Sequence, residues 1–296
     1  MFPSFLPRDV RLLQNRDSIA LARNICRIGI PTSLSNREVA TAYVQSGEGN
    51  TPLLLLHGFD SSLLEYRHIF PLLAAKRATW AVDLLGFGFT DRPKSLSYNP
   101  QTIKEHLYCF WRKAIARPVV LVASSMGGAT AIDFAITYPD AVERLVLMNS
   151  VGYSGSFYLG KLLFEPIDWL AVEFLRQRRV QALFWGKTFA LIDSTIEDVL
   201  RCAILPSQMP NWELATKDFT RSGGYYNLAH KIPLVTQPSL ILWGDRDEML
   251  GTAAAIEFER AIANSQLIWL PGVGHTPHWE QPEIVAQHIF DFLSNY

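Results

Sequence analysis

Short apolar runs alternate with longer amphipathic segments along most of this chain. The runs contain few polar residues, carry no polar alternation and lie at 53–56, 79–83, 119–122, 142–148, 239–243 and 266–270. Such runs are typical of strands that are buried on both faces of a parallel sheet. The segments between them predict helices at 63–75, 102–116, 129–137, 252–263 and 282–293.

Two further strands are predicted near the N-terminus. Residues 27–30 and 38–45 are joined by a polar turn, and the second run alternates apolar and polar positions as an antiparallel edge hairpin does. The whole pattern therefore predicts an α/β fold. Its central sheet would have about eight strands, most of them parallel, with helices on both faces.

The alternation of strands and helices stops between 152 and 237. This stretch is rich in aromatic residues, poor in strand patterns and broken by glycines and prolines. We therefore expect a helical cap, or lid, at 152–237, inserted between two strands of a core formed by 1–151 and 238–296. A lid over strand ends has an apolar underside, which must be buried or presented to a ligand.

Composition narrows the class of protein. The 296 residues carry a formal net charge of −1 and no basic stripe with interleaved aromatic residues, which argues against nucleic acid as a partner. Cys26, Cys109 and Cys202 are far apart and lack the spacing of a zinc site, so we expect buried thiols in a reducing, cytoplasmic compartment. The start of the chain lacks a signal-peptide pattern, and no apolar run is long enough to span a bilayer.

The N-terminal segment allows two interpretations. Residues 8–25 have apolar positions at mixed helical spacing among several arginines, which favours a helix packed on the body of the protein. The alternative is a basic amphipathic segment, with Phe2, Phe5 and Leu6 ahead of it, that makes a peripheral membrane contact. The acidic residues Asp9 and Asp17 weaken this alternative.

The first candidate catalytic motif is the stretch PVVLVASSMGGAT at 118–130, which predicts a strand, a turn of small residues and a helix. This setting can hold a serine on a sharp elbow with its hydroxyl exposed. Positions two before and two after such a serine must be small. Ser125 meets this need with Ala123 and Gly127, whereas Ser124 would be flanked by bulky side chains, so Ser125 is the candidate nucleophile.

Two residues on later loops complete a triad with Ser125. A serine hydroxyl needs a base, and His275, in the glycine-rich loop after the last strand, is the candidate. The imidazole needs an acceptor for its other nitrogen, for which Asp247 is the first choice and Asp245 the second. Asn149 also follows a strand, but an amide cannot supply the negative charge.

The remaining candidates surround this triad. The backbone N–H groups of Phe59 and Met126 are the expected oxyanion donors. The substrate-binding residues that we expect are Phe59, His57, Ser124, Asn149 and Trp185. His57 also has an alternative, structural role, because a histidine at this loop commonly supports the backbone by hydrogen bonding. We expect no cofactor and no metal, since His275 and His278 lack a carboxylate cluster and no phosphate-binding glycine motif is present.

The motifs together resemble those of the α/β-hydrolase fold superfamily. The resemblance extends from about residue 38 to the end and rests on HGF at 57–59, DLLGFGFTDRP at 83–93, ASSMGG at 123–128, WGDRD at 243–247 and GVGH at 272–275. It implies the same triad and oxyanion hole, with Ala123 in place of the usual elbow glycine. Ser125 stands where dehalogenases and epoxide hydrolases of this superfamily have a carboxylate, which argues against both activities. The stretches PSFLPRDV, HGFDSS and SGGYYN also resemble cyanobacterial and plastid members that are related to chlorophyll dephytylases.

We therefore expect a serine hydrolase that cleaves a carboxylic ester of a largely apolar substrate through an acyl-enzyme, with prenyl or phytyl esters among the candidates. One alternative is a hydrolase of C–C bonds in dienoic diketo acids, which would need an Arg or Lys in the pocket, with Arg221 and Lys217 available in the cap. The other is a ligand-binding receptor that keeps the triad. The sequence leaves the oligomeric state open.

Overall fold

The computed structural model describes residues 1–155, 157, 160, 167–177, 196–226 and 228–294. Within them one sheet has eight strands in the spatial order β1-β2-β4-β3-β5-β6-β7-β8. The strands are β1 Cys26–Thr32, β2 Ser35–Ser46, β3 Leu53–Leu56, β4 Thr79–Val82, β5 Val119–Ser124, β6 Val142–Met148, β7 Ser239–Gly244 and β8 Ser265–Leu270. The pairs β1/β2 and β2/β4 are antiparallel, and every other pair is parallel. The predicted fold class is confirmed.

The described helices flank this sheet. They are α1 Arg16–Arg23, α2 Ile69–Ala74, α3 Pro100–Ala114, α4 Met126–Thr137, α5 Ile167–Arg176, α6 Ile196–Ile204, α7 Trp212–Arg221, α8 Ala253–Ala261, α9 Pro277–Glu280 and α10 Pro282–Ser294. Short 3₁₀ turns lie at Arg8–Leu12, Leu63–Tyr66, Pro139–Ala141, Leu205–Gln208 and Ile232–Leu234. The helix predicted at 63–75 is thus a 3₁₀ turn followed by a short α-helix.

The sheet separates two apolar cores, one on each face. Along β3, Leu54 and Leu56 face one core, and Leu53 and Leu55 face the other, and all four are fully buried. The strand therefore needs apolar side chains at every position, because successive residues point to opposite faces. The same alternation explains the uninterrupted apolar runs of the other central strands.

The antiparallel hairpin forms the open edge of the sheet. Its outer strand, β1, buries little of its surface apart from Ile30. Cys26 lies at the start of this strand and is exposed, so the expectation of three buried thiols is wrong at this position. An edge strand has solvent along one side. The residue pattern alone does not show whether the first residue of such a strand is exposed. Cys202 is buried, and Cys109 is half-buried.

The N-terminal segment packs on the body of the protein, as the first of its two interpretations predicts. Leu6, Val10 and Leu13 are at most 7% exposed and belong to one of the two cores. The carboxylate of Asp198, on α6, accepts hydrogen bonds from the backbone N–H groups of Gln14 and Asn15 and from the hydroxyl of Ser18. This buried carboxylate therefore ties the N-terminal segment to α6.

The helices α5, α6 and α7 lie between β6 and β7 in the chain. These two strands are nevertheless neighbours in the sheet, so the chain leaves the sheet after β6 and returns beside it. This is the position expected for an inserted cap, and the exact boundaries 152–237 stay a prediction. None of the described helices combines the length and the apolar character that a membrane span requires.

We predict that Asp198→Ala lowers the free energy of unfolding by about 3 kcal/mol, because three donors lose their acceptor inside the protein. Urea denaturation measures this loss. Asp198→Asn is the matched control: its oxygen still accepts from the two backbone N–H groups and its NH₂ can donate to Ser18, so it should retain most of the stability. Equal stability of Asp198→Ala and wild type would contradict the structural role of this carboxylate.

Candidate active site

The carboxyl ends of the parallel strands bring the candidate residues to one edge of the sheet. The loops after these strands carry His57, Asp83, Ser125, Asn149, Asp247 and His275. Open α/β sheets hold their ligands at this edge, because loops from several strands converge there. The parallel topology therefore assembles residues that are up to 218 positions apart in the sequence, from 57 to 275.

Ser125 occupies the sharp turn between β5 and α4. Its backbone has φ 52° and ψ −120°, a conformation that non-glycine residues rarely adopt. Hydrogen bonds hold it there: its N–H donates to Met148 O at 3.0 Å, and its carbonyl accepts from the N–H groups of Gly128 and Val151, each at 3.0 Å. The turn therefore fixes the direction of the Ser125 side chain before any ligand binds.

Close backbone contacts explain the small residues after the serine. A Cβ added to Gly127 would lie 2.0 Å from the carbonyl oxygen of Leu56, and one added to Gly128 would lie 2.2 Å from Ser150 Oγ. No side chain fits at either distance. On the preceding side, Ala123 is fully buried between β3 and β6, and its single methyl group is accommodated where the family usually has glycine.

His275 and Asp247 form a buried pair. The Nδ1 atom of His275 lies 2.9 Å from Asp247 Oδ2, and Asp247 Oδ1 accepts from the N–H groups of Met249 and Leu250 at 2.8 and 3.0 Å. Burial acts to raise the pKa of Asp247, but the hydrogen bond and charge of His275, with further donors, bring that pKa below its ordinary value. Asp247 is therefore ionised and orients the imidazole. Asp245, the second choice, instead accepts from Gly272 N–H at 2.7 Å.

Asn149 supports this pair from behind. Its Nδ2 donates to Asp247 Oδ2 at 2.6 Å, and its Oδ1 accepts from the N–H of Gly244 at 3.2 Å. Asn149 is fully buried. The structure thus places it beneath the acid and not on the substrate surface where we expected it, because both ends of its amide are used within the sheet edge.

His57 braces the loop that follows β3. Its Nε2 accepts the N–H of Leu84 at 3.1 Å, so Nδ1 carries the proton and donates to Gly58 O at 2.7 Å. Burial lowers the pKa of His57 to about 4, which keeps the ring neutral. His57 is fully buried with both nitrogens engaged. The structure therefore places it behind the loop, in the supporting role that was its alternative interpretation, and not at the expected substrate surface.

This brace orients the first candidate oxyanion donor. The Gly58 carbonyl and the Phe59 N–H belong to one trans peptide and point in opposite directions. Since His57 holds the carbonyl, the Phe59 N–H points away from His57. A Cβ added to Gly58 would lie 3.4 Å from the Cβ of Ser125, so this loop passes close to the serine. The second candidate, the N–H of Met126, is in the first turn of α4, where backbone donors lack partners within the helix.

Ser125 and His275 line the same cavity, which has a volume of about 270 Å³. Its wall is largely apolar and aromatic, and includes Phe59, Met126, Val151, Phe157, Phe219, Tyr225, Met249 and Leu250. The rings of Phe59 and Phe157 lie 4.6 Å apart, so a residue of the core loop meets one from the segment after β6. Among the lining residues that the structure describes, Ser124, Phe59 and Met126 are present, and His57 and Asn149 are not. Trp185 lies outside the described residues.

Glu65 is a cavity residue that sequence reasoning missed. Its carboxylate accepts the N–H of Gly58 at 3.1 and 3.2 Å, and its side chain is 15% exposed. Burial raises the pKa of Glu65 to about 7, against the lowering effect of hydrogen bonds from Ser61, Gly58 and Tyr66. A signal was present in the sequence, because Glu65 is a charged residue within the otherwise apolar and aromatic run LLEY at 63–66.

No group of three or more histidine, cysteine or acidic side chains in the described part of the chain is arranged to hold a metal ion. Asp83, which also lies at this edge, is fully buried and accepts the N–H groups of Leu63 and Phe89 at 2.6 and 2.7 Å. It therefore fixes loops and is not directed at a ligand. The groups that meet at the cavity are those of nucleophilic chemistry: a serine, a histidine with its carboxylate, and backbone donors.

The fold and the site define a hydrolase of the α/β class, and comparison with known proteins agrees. The family model for the alpha/beta hydrolase fold matches residues 51–282. The chain therefore belongs to the alpha/beta hydrolase fold family.

Individual relatives cover nearly the whole chain. The chain is 34% identical over 302 residues to the alpha/beta hydrolase domain-containing protein VTE7 of Arabidopsis thaliana, covering 99% of this chain and 91% of that protein. It is 27% identical to 2-hydroxymuconate semialdehyde hydrolase of Pseudomonas sp. strain CF600, covering 94% and 96% of the two chains. Among solved structures, a thermophilic esterase from Thermogutta terrifontis has a TM-score of 0.75 at 25% identity, covering 91% and 98%.

We predict that Glu65→Gln removes a pH-dependent loss of stability. The pKa of Glu65 rises from the ordinary 4.5 to about 7 on folding. The folded state therefore holds its proton more tightly, and the stability that this group contributes falls as the pH rises from 4.5 to 7. The free energy of unfolding of the variant, relative to that of wild type, should therefore rise by up to about 1.4 kcal/mol for each pH unit in this window.

Urea denaturation at pH 5 and pH 8 measures the effect. Glu259 is exposed on α8, and Glu259→Gln serves as the control. Its free energy of unfolding should equal that of wild type at both pH values. If the difference between Glu65→Gln and wild type does not grow between pH 5 and pH 8, Glu65 does not hold its proton in the folded protein.

Proposed function

We propose that this protein is a serine hydrolase that cleaves a carboxylic ester of a largely apolar substrate through an acyl-enzyme. The observation that carries the proposal is the juxtaposition of three features at one cavity: Ser125 on a strained elbow, His275 paired with Asp247 at 2.9 Å, and a braced loop with backbone donors. A serine needs this combination of base, orienting acid and oxyanion donors to attack an acyl group.

In the proposed reaction, Ser125 Oγ attacks the carbonyl carbon of the ester while His275 Nε2 takes the hydroxyl proton. Asp247 holds Nδ1 of the same ring and stabilises the imidazolium. His275 then gives the proton to the departing alcohol oxygen, which leaves an acyl group on Ser125. A water molecule attacks this acyl group in the second half of the reaction, again with His275 as the base.

The oxyanion of each tetrahedral intermediate would be held by the N–H groups of Phe59 and Met126. Each donor of this type is typically worth about 3 kcal/mol in the transition state. The bond from His57 to Gly58 fixes one of the two peptides in advance, so that no reorganisation is needed when the charge develops.

The cavity wall supports an apolar substrate. Its aromatic residues Phe59, Phe157 and Phe219 form a cluster with ring centroids 4.6 to 6.0 Å apart. An acyl chain or a lipophilic alcohol buries its surface favourably against such a wall. A prenyl- or phytyl-type alcohol is the finer candidate, and it rests on the sequence resemblance to chlorophyll dephytylase-like members. The helices between β6 and β7 would serve as the cap over this cavity.

Hydrolysis of a C–C bond is the second candidate, favoured by the relative that acts on 2-hydroxymuconate semialdehyde. Such an acidic substrate calls for a cation, and among the described residues no Arg or Lys lines the cavity. Arg221, one of the two cations considered, pairs with Asp168 at 3.4 Å. The lining therefore supports an ester over a dienoic diketo acid.

Labelling with a fluorophosphonate probe and turnover of p-nitrophenyl esters, graded from acetate to palmitate, test the proposal. We expect wild type to be labelled and to prefer the longer acyl chains. Ser125→Ala should lose labelling and lower turnover by at least about 10³-fold. The neighbouring Ser124→Ala is the matched control and should be labelled like wild type.

Three results would change the conclusion. A folded wild type that is not labelled would remove Ser125 from the role of nucleophile. A labelled protein that cleaves none of the esters but turns over a dienoic diketo acid would favour the C–C hydrolase. A single turnover with retained product would favour the receptor.

A further inference from the structure

A second, smaller chamber adjoins the active-site cavity. It has a volume of about 30 Å³, and three residues line both spaces: Ser61, Glu65 and Thr276. Its remaining wall is formed by Ser62, Arg67, His278 and Trp279 and by three residues of α6, namely Val199, Cys202 and Ala203. The chamber thus lies between the core and the helix that Asp198 ties to the N-terminal segment.

The chamber contains buried polar atoms that have no hydrogen-bond partner in the described part of the protein, although His278 Nε2 lies 3.6 Å from Glu65 Oε1. Among the described residues, none forms a hydrogen bond with Arg67 Nε or Nη2, or with either ring nitrogen of His278. Both side chains are only 1% exposed. Buried groups of this kind are costly unless they are hydrogen-bonded, so they require a small polar partner.

Water is the ligand that fits. A water molecule needs at least about 10–15 Å³ of such space and two to four polar partners, and the chamber offers both. In the same measure, the chamber has room for about two or three water molecules. An apolar molecule would leave Arg67 Nε and Nη2 and the two nitrogens of His278 without a hydrogen bond.

The wall that the two spaces share lies close to the candidate base. One of its residues, Thr276, follows His275 directly. Another, Glu65, also accepts the N–H of Gly58 in the candidate oxyanion loop. The rest of the main cavity is largely apolar, and an apolar acyl chain on Ser125 would displace water from it.

We propose that this chamber binds the water that hydrolyses the acyl-enzyme and delivers it from the core side, past Glu65 and Thr276. The proposal rests on the proposed function. The oxygen of the delivered water forms a bond to the acyl carbon and its proton goes to His275. The bond between Ser125 Oγ and the acyl carbon then breaks, Oγ takes the proton back, and a free acid leaves.

Ala203→Leu tests this delivery, because the larger side chain fills the chamber from α6 without touching the triad. Stopped-flow release of p-nitrophenol separates acylation, seen as the burst, from deacylation, seen as the steady state. We expect an unchanged burst rate and a steady-state rate lowered about tenfold. With methanol added, the variant should also form a larger share of methyl ester, because methanol reaches the acyl group through the main cavity.

Two further variants complete the design. Ala253→Leu, an exposed position on α8 outside both spaces, is the matched control and should behave like wild type in both phases. His278→Phe fills the chamber from the opposite wall and removes the unpaired nitrogens, which keeps the test decisive if Ala203→Leu does not fold. Equal slowing of burst and steady state, or an unchanged share of methyl ester, would overturn the proposal.

A crystal structure of the wild type checks the water site apart from the reaction. Ordered water within about 3 Å of Arg67 and His278 supports the site, and a chamber without electron density overturns it. Failure of the proposed function has a different signature, since the wild type would then not react with the fluorophosphonate probe. In that event the water-delivery step is rejected together with the proposed function, and the crystal structure alone decides whether the chamber binds water.

Discussion

The backbone conformation of Ser125 is the constraint on which the active site depends. A φ of 52° with a ψ of −120° costs on the order of 1–3 kcal/mol and persists only where the surroundings enforce it. Here the carbonyl of Met148 and the N–H groups of Val151 and Gly128 hold the turn, and Gly127 allows the Leu56 carbonyl of β3 to approach closely. The buried apolar strands therefore do more than form a core. They also form a rigid frame that keeps the backbone of Ser125 in its strained conformation.

A second layer of polar contacts stands behind the reacting groups. Asn149 connects Asp247 to β7, His57 connects the loop after β3 to Leu84, and Asp83 fixes two further backbone segments. Each of these side chains is fully buried and has its hydrogen bonds satisfied by named partners. These contacts would keep the candidate site preorganised for the proposed reaction, because its loops are already held in place.

Most of the fold could be predicted from the sequence because its signals are local. Apolar runs bounded by turns predicted the six strands β3 to β8 within two residues, and β6 at 142–148 without error. The elbow at Ser125 and the loops of Asp247 and His275 were predictable because parallel strands bring their carboxyl ends together. The roles of His57 and Asn149 were not, since which side of a loop a side chain faces depends on packing. Glu65 was missed for the same reason, because its environment is made by residues from distant loops.

The neighbouring positions of β6 and β7 have a consequence for how such a protein diversifies. The chain leaves the sheet at Met148 and re-enters it at Ser239, which pairs with Leu145 on the neighbouring parallel strand, about 10 Å back along the strand direction. The ends of the intervening segment are thus fixed by the sheet, whatever its length or composition. Insertions, deletions and exchanges in this segment, the proposed cap, would change the cover of the cavity without altering the register of the strands that position Ser125, Asp247 and His275. Selectivity for the substrate and competence for the reaction can accordingly evolve as separate traits of one chain.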